Sequence, residues 1–163
     1  MNRSVMGAVA AALSIAHFPT VAVAQDYTVG SLKIDHPWAR ATPPAAKVGG
    51  GYLKIVNSGT TPDRLLGGST EASARLEIHE SSLVDGIARM REKTDGVAVG
   101  AGETVELKPN AIHLMLVDLK APLKQGEKIQ ATLRFEKAGP VDVEFQIQGI
   151  GAQPQASTDH ATH

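Results

Sequence analysis

Short runs in which apolar and polar residues alternate, each ending at Gly, Pro, Asn or Asp, constrain this chain more than any other feature. Nine such runs follow one another: YTVGSLKID, GGYLKIVNSG, RLLGGST, ARLEIHES, GIARMREK, ETVELKPN, IHLMLVDL, EKIQATLRFE and VDVEFQIQG. A period of two is typical of strands with one buried face, and no window keeps a helical period over three turns. Because the connections are also too short for crossover helices, the pattern predicts an all-β antiparallel sandwich or barrel.

The first 24 residues have a different character. They contain a basic Arg3, an apolar run over residues 5–18 and the small-x-small site Ala22-Val23-Ala24. Together these features predict a secretory signal peptide, residues 1–24, that is cleaved before Gln25. The alternative is an uncleaved membrane anchor, which needs about 20 apolar residues, whereas this run is shorter and interrupted.

The remaining chain is predicted to be one domain, residues 25–148, followed by a flexible tail, residues 149–163, which is small, polar and non-periodic. With 16 basic and 17 acidic residues, the sequence indicates no nucleic-acid partner. No further long apolar run follows the signal, so we expect no stable membrane insertion after cleavage. A periplasmic location and a monomeric state are separate expectations. Cysteine is absent, which excludes disulfides and thiolate ligands.

The run IHLMLVDL has an unusual polar phase. Ile112, Leu114 and Leu116 share one face of the predicted strand, so His113 and Met115 share the other. Residues two apart in a strand are separated by about 7 Å, and two long side chains on one face can therefore converge on one atom.

A second His–Met pair follows from a predicted hairpin. Asp85-Gly86 fits a two-residue turn, which pairs Ser81 with Met90 and residue 79 with Glu92. His79 and Met90 then become diagonal neighbours roughly 7–8 Å apart on one face. The outward face of this hairpin thus carries one histidine and one methionine, as does the outward face of the strand IHLMLVDL.

These four side chains make a consistent ligand set. A lone His or Met in a strand is more often packing, but Met90 and Met115 are the only methionines left after signal cleavage, and each has a histidine within reach. Thioether sulfur is a soft ligand that selects Cu(I), and imidazole accepts both oxidation states of copper. Structural zinc sites favour cysteine and histidine, so zinc fits this set less well. The sequence therefore predicts a Cu(I) site made by His79, Met90, His113 and Met115, facing away from the core.

The spacing His79-x10-Met90-x22-His113-x-Met115 resembles the His-x10-Met-x21-His-x-Met signature of the periplasmic PCu(A)C copper chaperones. HPWARATPPAAKVGGGYLKIVNSG, PDRLL, VDGIARMRE, VELKPNAIHLML and LKQGEKIQATLRFE are also similar to that family, and the likeness spans residues 27–148. It implies a cupredoxin-like Greek-key fold, an exposed Cu(I) site with these four ligands, and copper delivery to cytochrome c oxidase, directly or through a thioredoxin-like metallochaperone. The one extra residue between Met90 and His113 is expected in a loop around KTDGVAVGAGE.

Other residues that could be functional receive different assignments. Trp38, Arg40 and Tyr52 are assigned to packing or framework, and His36, which has no methionine partner, to the framework as well. In the tail, His160 and His163, with Asp159, form a candidate accessory Cu(II) site.

Several other functions compete with that of a copper carrier. An electron-transfer cupredoxin needs a cysteine thiolate, and the chain has none. The sequence also lacks a G-x-S-x-G elbow, an H-E-x-x-H motif and a phosphate-cradling loop, and its histidines are too dispersed for a copper dismutase, so no enzyme activity is predicted. An exported β-sandwich binding module, or a copper-buffering or resistance protein without an oxidase target, stays open as the alternative.

Overall fold

The computed structural model describes residues 25–154, and the predicted signal peptide and the tail histidines lie outside this range. Within it there are eleven β-strands and no helix, which confirms the all-β prediction. None of these residues forms a helix that could cross a membrane. The strands are β1 Asp26–Val29, β2 Leu32–Arg40, β3 Val48–Asn57, β4 Asp63–Thr70, β5 Ser73–Val84, β6 Ile87–Glu92, β7 Val97–Val99, β8 Thr104–Leu107, β9 Ile112–Leu119, β10 Lys128–Phe135 and β11 Gly139–Gln148.

Seven of the strands close into a barrel. Their order is β2-β11-β10-β4-β5-β9-β3, and the pairing of β3 with β2 completes the ring. The other four extend it at the sides: β1 pairs with β2, β8 with β3, β6 with β5 and β7 with β4. All pairings are antiparallel except that of β2 with β11, so the purely antiparallel prediction was wrong at that one junction.

The core follows the two-residue period of the strands. On β10 and β11 alternate residues are buried, namely Ala131, Leu133, Phe135, Val143, Phe145 and Ile147. The same alternation buries Leu76 and Ile78 on β5, and Leu114 and Leu116 on β9. In the middle of these two strands the odd-numbered residues therefore lie on the outer face of the barrel, as predicted for His79, His113 and Met115.

Two predicted boundaries differ from the structure. The run YTVGSLKID is two strands, because the chain turns at Gly30, whose φ is +57°. The segment around VAV, expected to be loop, forms β7 and pairs with β4. Val97 and Val99 are buried there, but a three-residue strand is too short to show a recognisable period.

A candidate copper site on the outer face of the barrel

The predicted hairpin has the predicted register. Asp85 and Gly86, with φ angles of 52° and 76°, form the turn between β5 and β6, and Ser81 pairs with Met90 while His79 pairs with Glu92. The turn is an Asp-Gly pair because both positions need positive φ, which glycine adopts freely and aspartate tolerates. Met90 is therefore the diagonal neighbour of His79.

The barrel adds a contact between the two histidines. His79 on β5 pairs directly with His113 on β9, and their ring centroids are 6.3 Å apart. Two residues further along β9, Met115 pairs with Glu77 on β5. Ser81, the partner of Met90, and Glu77, the partner of Met115, lie on either side of His79 on β5, so the two methionines occupy diagonal positions on the two sides of the His79–His113 pair.

The four side chains differ in exposure. Met90 is 54% exposed, because β6 is paired only with β5 and all six of its residues are exposed. His113 is only 5% exposed, and His79 and Met115 are half-buried. The expectation of a fully outward, exposed site was wrong for His113, which lies on the outer face but is covered by its neighbours.

A row of rings explains this burial. The Trp38 and Tyr52 ring centroids are 4.4 Å apart. The Tyr52 and His113 ring centroids are 6.3 Å apart, and β3, which carries Tyr52, pairs with the edge of β9 that faces away from His79. Tyr52 can occupy this place because Gly50 has no side chain, since a Cβ there would overlap the Tyr52 hydroxyl. Tyr52, predicted to be a framework residue, therefore also lines the candidate site next to His113.

The hydrogen bonds define which nitrogen of each histidine is available. His113 Nδ1 donates to the Ala111 carbonyl at 2.9 Å, which leaves Nε2 unprotonated in the neutral ring. His79 Nε2 lies 2.9 Å from Glu77 Oε2 and donates to this carboxylate. The other nitrogen of His79, Nδ1, is buried and has no hydrogen-bond partner.

Burial also favours the neutral form of His113. It lowers the pKa of this histidine, the Ala111 hydrogen bond opposes the shift, and the nearby His79 adds to it. A metal-binding imidazole must be neutral, so the surroundings of His113 favour the form that can bind. Within residues 25–154, no group of three or more His, Cys, Asp or Glu side chains could hold a metal ion.

The remaining histidine of the described region lies elsewhere. His36 has a φ of 50°, and its Nε2 is 3.5 Å from Gln148 Nε2.

At the end of the described chain, the Ala152 carbonyl accepts a hydrogen bond from Arg40 Nε at 2.9 Å. Arg40 in turn lies over the Tyr52 ring, 5.6 Å from its centroid.

Known proteins share this arrangement of strands. The LpqE-like lipoprotein family model matches residues 32–147. The apo PCuAC domain of PmoF1 is 31% identical with a TM-score of 0.65, and the match covers 77% of this chain and 99% of that one. The chain belongs to the PCuAC family. This membership confirms the resemblance found in the sequence and the cupredoxin-like fold.

Two further PCuAC structures contain copper. The copper-bound PCuAC domain of PmoF2 is 28% identical with a TM-score of 0.66, and the match covers 77% of this chain and 98% of that domain. The Cu(I) form of DR1885 from Deinococcus radiodurans is 25% identical with a TM-score of 0.59, over 78% of this chain and 83% of that one.

Proposed function

We propose that this protein is an exported copper chaperone that holds Cu(I) between His79, Met90, His113 and Met115 and passes it to an accepting protein. One observation carries the proposal: the two imidazoles are paired across β5 and β9, and His79 Nδ1 is buried without a hydrogen-bond partner. A buried polar atom without a partner costs free energy, and a metal ion would supply that partner. The copper-bound PCuAC domain of PmoF2 supports this interpretation.

The donor set favours the reduced ion. Two thioethers are soft, uncharged ligands that stabilise Cu(I), and the two neutral imidazoles complete a site that offers no thiolate. The Cu(I) form of DR1885 is a precedent within the same family.

Release requires that a partner can reach the ion. Met90 is the most exposed of the four ligands and lies on β6, which is paired only with β5. The other three ligands lie on strands of the closed barrel. We therefore expect an incoming ligand of the acceptor to displace Met90 first, while His79, His113 and Met115 still hold the ion.

The destination rests on the family resemblance. It supports delivery to the copper site of cytochrome c oxidase, either directly or through a thioredoxin-like metallochaperone. The predicted signal peptide and the lipoprotein description of the matching family support a location outside the cytoplasm, in the periplasm.

An anaerobic Cu(I) titration against a competing chelator tests the binding step. We expect one Cu(I) ion per chain, and loss of stoichiometric binding when Met90→Leu and Met115→Leu are combined. Leu83→Ala is the matched control, because Leu83 is an exposed apolar residue on the same hairpin. Unchanged stoichiometry and affinity in the double methionine variant would rule out the proposed ligand set.

A transfer assay separates a chaperone from a copper buffer. The Cu(I)-loaded protein is mixed with the soluble copper domain of the oxidase or with a thioredoxin-like metallochaperone, and the copper content of each is measured after separation. A chaperone transfers copper faster than its spontaneous dissociation into a chelator allows. Transfer at the dissociation rate alone would favour the buffering function instead.

A further inference from the structure

We propose that Glu77 is a positioning residue of the copper site, which holds His79 so that its Nδ1 faces the ion. This inference rests on the proposed function and deepens it. Glu77 lies two residues before His79 on β5, and both side chains are on the outer face of the barrel. Glu77 Oε2 accepts the His79 Nε2 hydrogen bond at 2.9 Å, and each side chain is 17% exposed.

The hydrogen bond determines the tautomer of His79. A carboxylate can only accept, so the proton of the neutral ring is on Nε2 and the lone pair is on Nδ1. That nitrogen is the buried atom without a hydrogen-bond partner. Metal-binding histidines commonly donate their second N–H to a carboxylate, which orients the ring and raises its basicity. Glu77 and His79 have this geometry.

Glu77 is itself held in place. Arg75 Nη1 lies 3.2 Å from Glu77 Oε1, and Arg75 Nη2 lies 3.4 Å from Asp118 Oδ2. One carboxylate oxygen of Glu77 therefore contacts Arg75 and the other contacts His79. These contacts on both oxygens limit the rotation of the Glu77 carboxylate, so Oε2 remains directed at the His79 ring.

Glu77 fits this role better than that of a ligand. It pairs with Met115, so its carboxylate lies beside the site, but Oε2 is already occupied by His79. Carboxylate oxygen is also a hard ligand, which Cu(I) does not favour. The negative charge of Glu77 also favours binding of the ion, because the four proposed ligands are neutral and Cu(I) carries one positive charge.

The test combines NMR of the apo protein with Cu(I) titration at neutral pH. Glu77→Ala removes the acceptor and the charge, whereas Glu77→Gln keeps a carbonyl acceptor and removes only the charge. Glu80→Ala is the matched control, because Glu80 is adjacent to His79 on β5 but belongs to the opposite phase of the strand and pairs with Arg91 at 2.8 Å. Amide spectra of each apo variant establish that the barrel is folded.

Carbon and nitrogen shifts of the imidazole report the tautomer. We expect His79 to be in the Nε2–H form in the wild type, in Glu77→Gln and in Glu80→Ala, and in a mixture of both forms in Glu77→Ala. Cu(I) affinity should fall about 10–100-fold in Glu77→Ala, the usual effect of losing an outer-shell partner, and less in Glu77→Gln. In Glu80→Ala it should stay at the wild-type value.

Two results would overturn the positioning role. One is a Glu77→Ala variant with an unchanged His79 tautomer, whatever its affinity, because a loss of affinity would then come from charge alone. The other is a mixed tautomer with wild-type Cu(I) affinity. Failure of the proposed function is a separate result, since it appears as absence of Cu(I) binding by the wild type before any variant is compared.

Discussion

His79 and His113 lie directly opposite each other on β5 and β9, with their ring centroids 6.3 Å apart and their planes inclined at 44°. Both rings are also restrained by hydrogen bonds, one to the Glu77 carboxylate and one to the Ala111 carbonyl. The barrel thus pre-orients the two proposed nitrogen ligands, while the flexible side chains of the two proposed methionine ligands can adjust around them. Two fixed and two adaptable ligands would suit the proposed function, in which the ion is bound and then released.

Met90 and Met115 should contribute to different properties of the protein. Met90→Leu should leave the free energy of unfolding within about 0.5 kcal/mol of wild type, because Met90 is exposed, while Cu(I) affinity falls at least about tenfold. Met115→Leu changes a half-buried residue, so it should lower the free energy of unfolding by up to about 1.5 kcal/mol and should also lower the Cu(I) affinity. Urea unfolding and Cu(I) titration measure the two effects. Equal stability losses in both variants would contradict this assignment.

The local pattern of the sequence was sufficient to predict which of the four proposed ligands lie together on one hairpin or on one strand. A two-residue turn sets the hairpin register, so the neighbourhood of His79 and Met90 follows from Asp85-Gly86 alone. The period of two likewise assigns His113 and Met115 to one face. These predictions depend only on residues that are close in sequence.

The contact between His79 and His113 could not be predicted in this way. It depends on the register of β5 against β9, which are not consecutive strands, and that register arises from how the whole barrel closes. The same reason applies to Tyr52, which reaches the site through the pairing of β3 with β9. Glu77 did leave a signal in the sequence, because it precedes His79 by two residues and shares its face.

Gly50 should be intolerant of a side chain. A Cβ at this position would overlap the Tyr52 hydroxyl and lie 2.9 Å from Cζ of that ring, which is itself packed against Trp38. We expect Gly50→Ala to destabilise the fold by about 1–3 kcal/mol and to shift the near-ultraviolet dichroism of Trp38, the only tryptophan. Gly151→Ala is the control, because nothing lies within 4 Å of a Cβ there. Wild-type stability and dichroism in Gly50→Ala would show that Tyr52 moves freely.

Asp63 should be an important stabilising residue away from the site. Burial raises the pKa of this carboxyl, but hydrogen bonds from the backbone N–H groups of Lys137, Arg64 and Ala138 outweigh it, and the pKa is lowered overall. The folded state therefore prefers the ionised form, so this contribution is present above about pH 4 and is lost as the pH falls through the lowered pKa.

Replacing Asp63 with asparagine should disturb these hydrogen bonds. The side-chain amide of the variant keeps one oxygen acceptor for Arg64 and Lys137 but directs its N–H donors at the backbone N–H of Ala138. Asp63→Asn should therefore lower the free energy of unfolding by about 1–3 kcal/mol at neutral pH and should weaken the loss of stability below about pH 4. Urea unfolding across this range measures both. Asp85→Asn is the control, since Asp85 is exposed and asparagine tolerates its positive φ. Equal costs in the two variants would argue against the role of Asp63.

The apo protein should lose stability in mild acid because of His113. Burial lowers the pKa of this histidine below its unfolded value of about 6.5, so the unfolded chain takes up a proton more readily than the folded one. The contribution of His113 is therefore fully present above about pH 6.5 and is lost as the pH falls through the folded pKa, with a slope of at most about 1.4 kcal/mol per pH unit.

A ring that does not titrate isolates this contribution. His113→Phe keeps an aromatic ring beside Tyr52 and leaves the Ala111 carbonyl with its second hydrogen bond, from Ser81 N at 3.1 Å. Urea unfolding of the apo proteins between about pH 7.5 and pH 5 should show a steeper loss of stability in the wild type than in this variant, since the other titrating groups are common to both. Parallel curves for wild type and His113→Phe would mean that His113 accepts a proton as easily in the folded protein as in the unfolded chain.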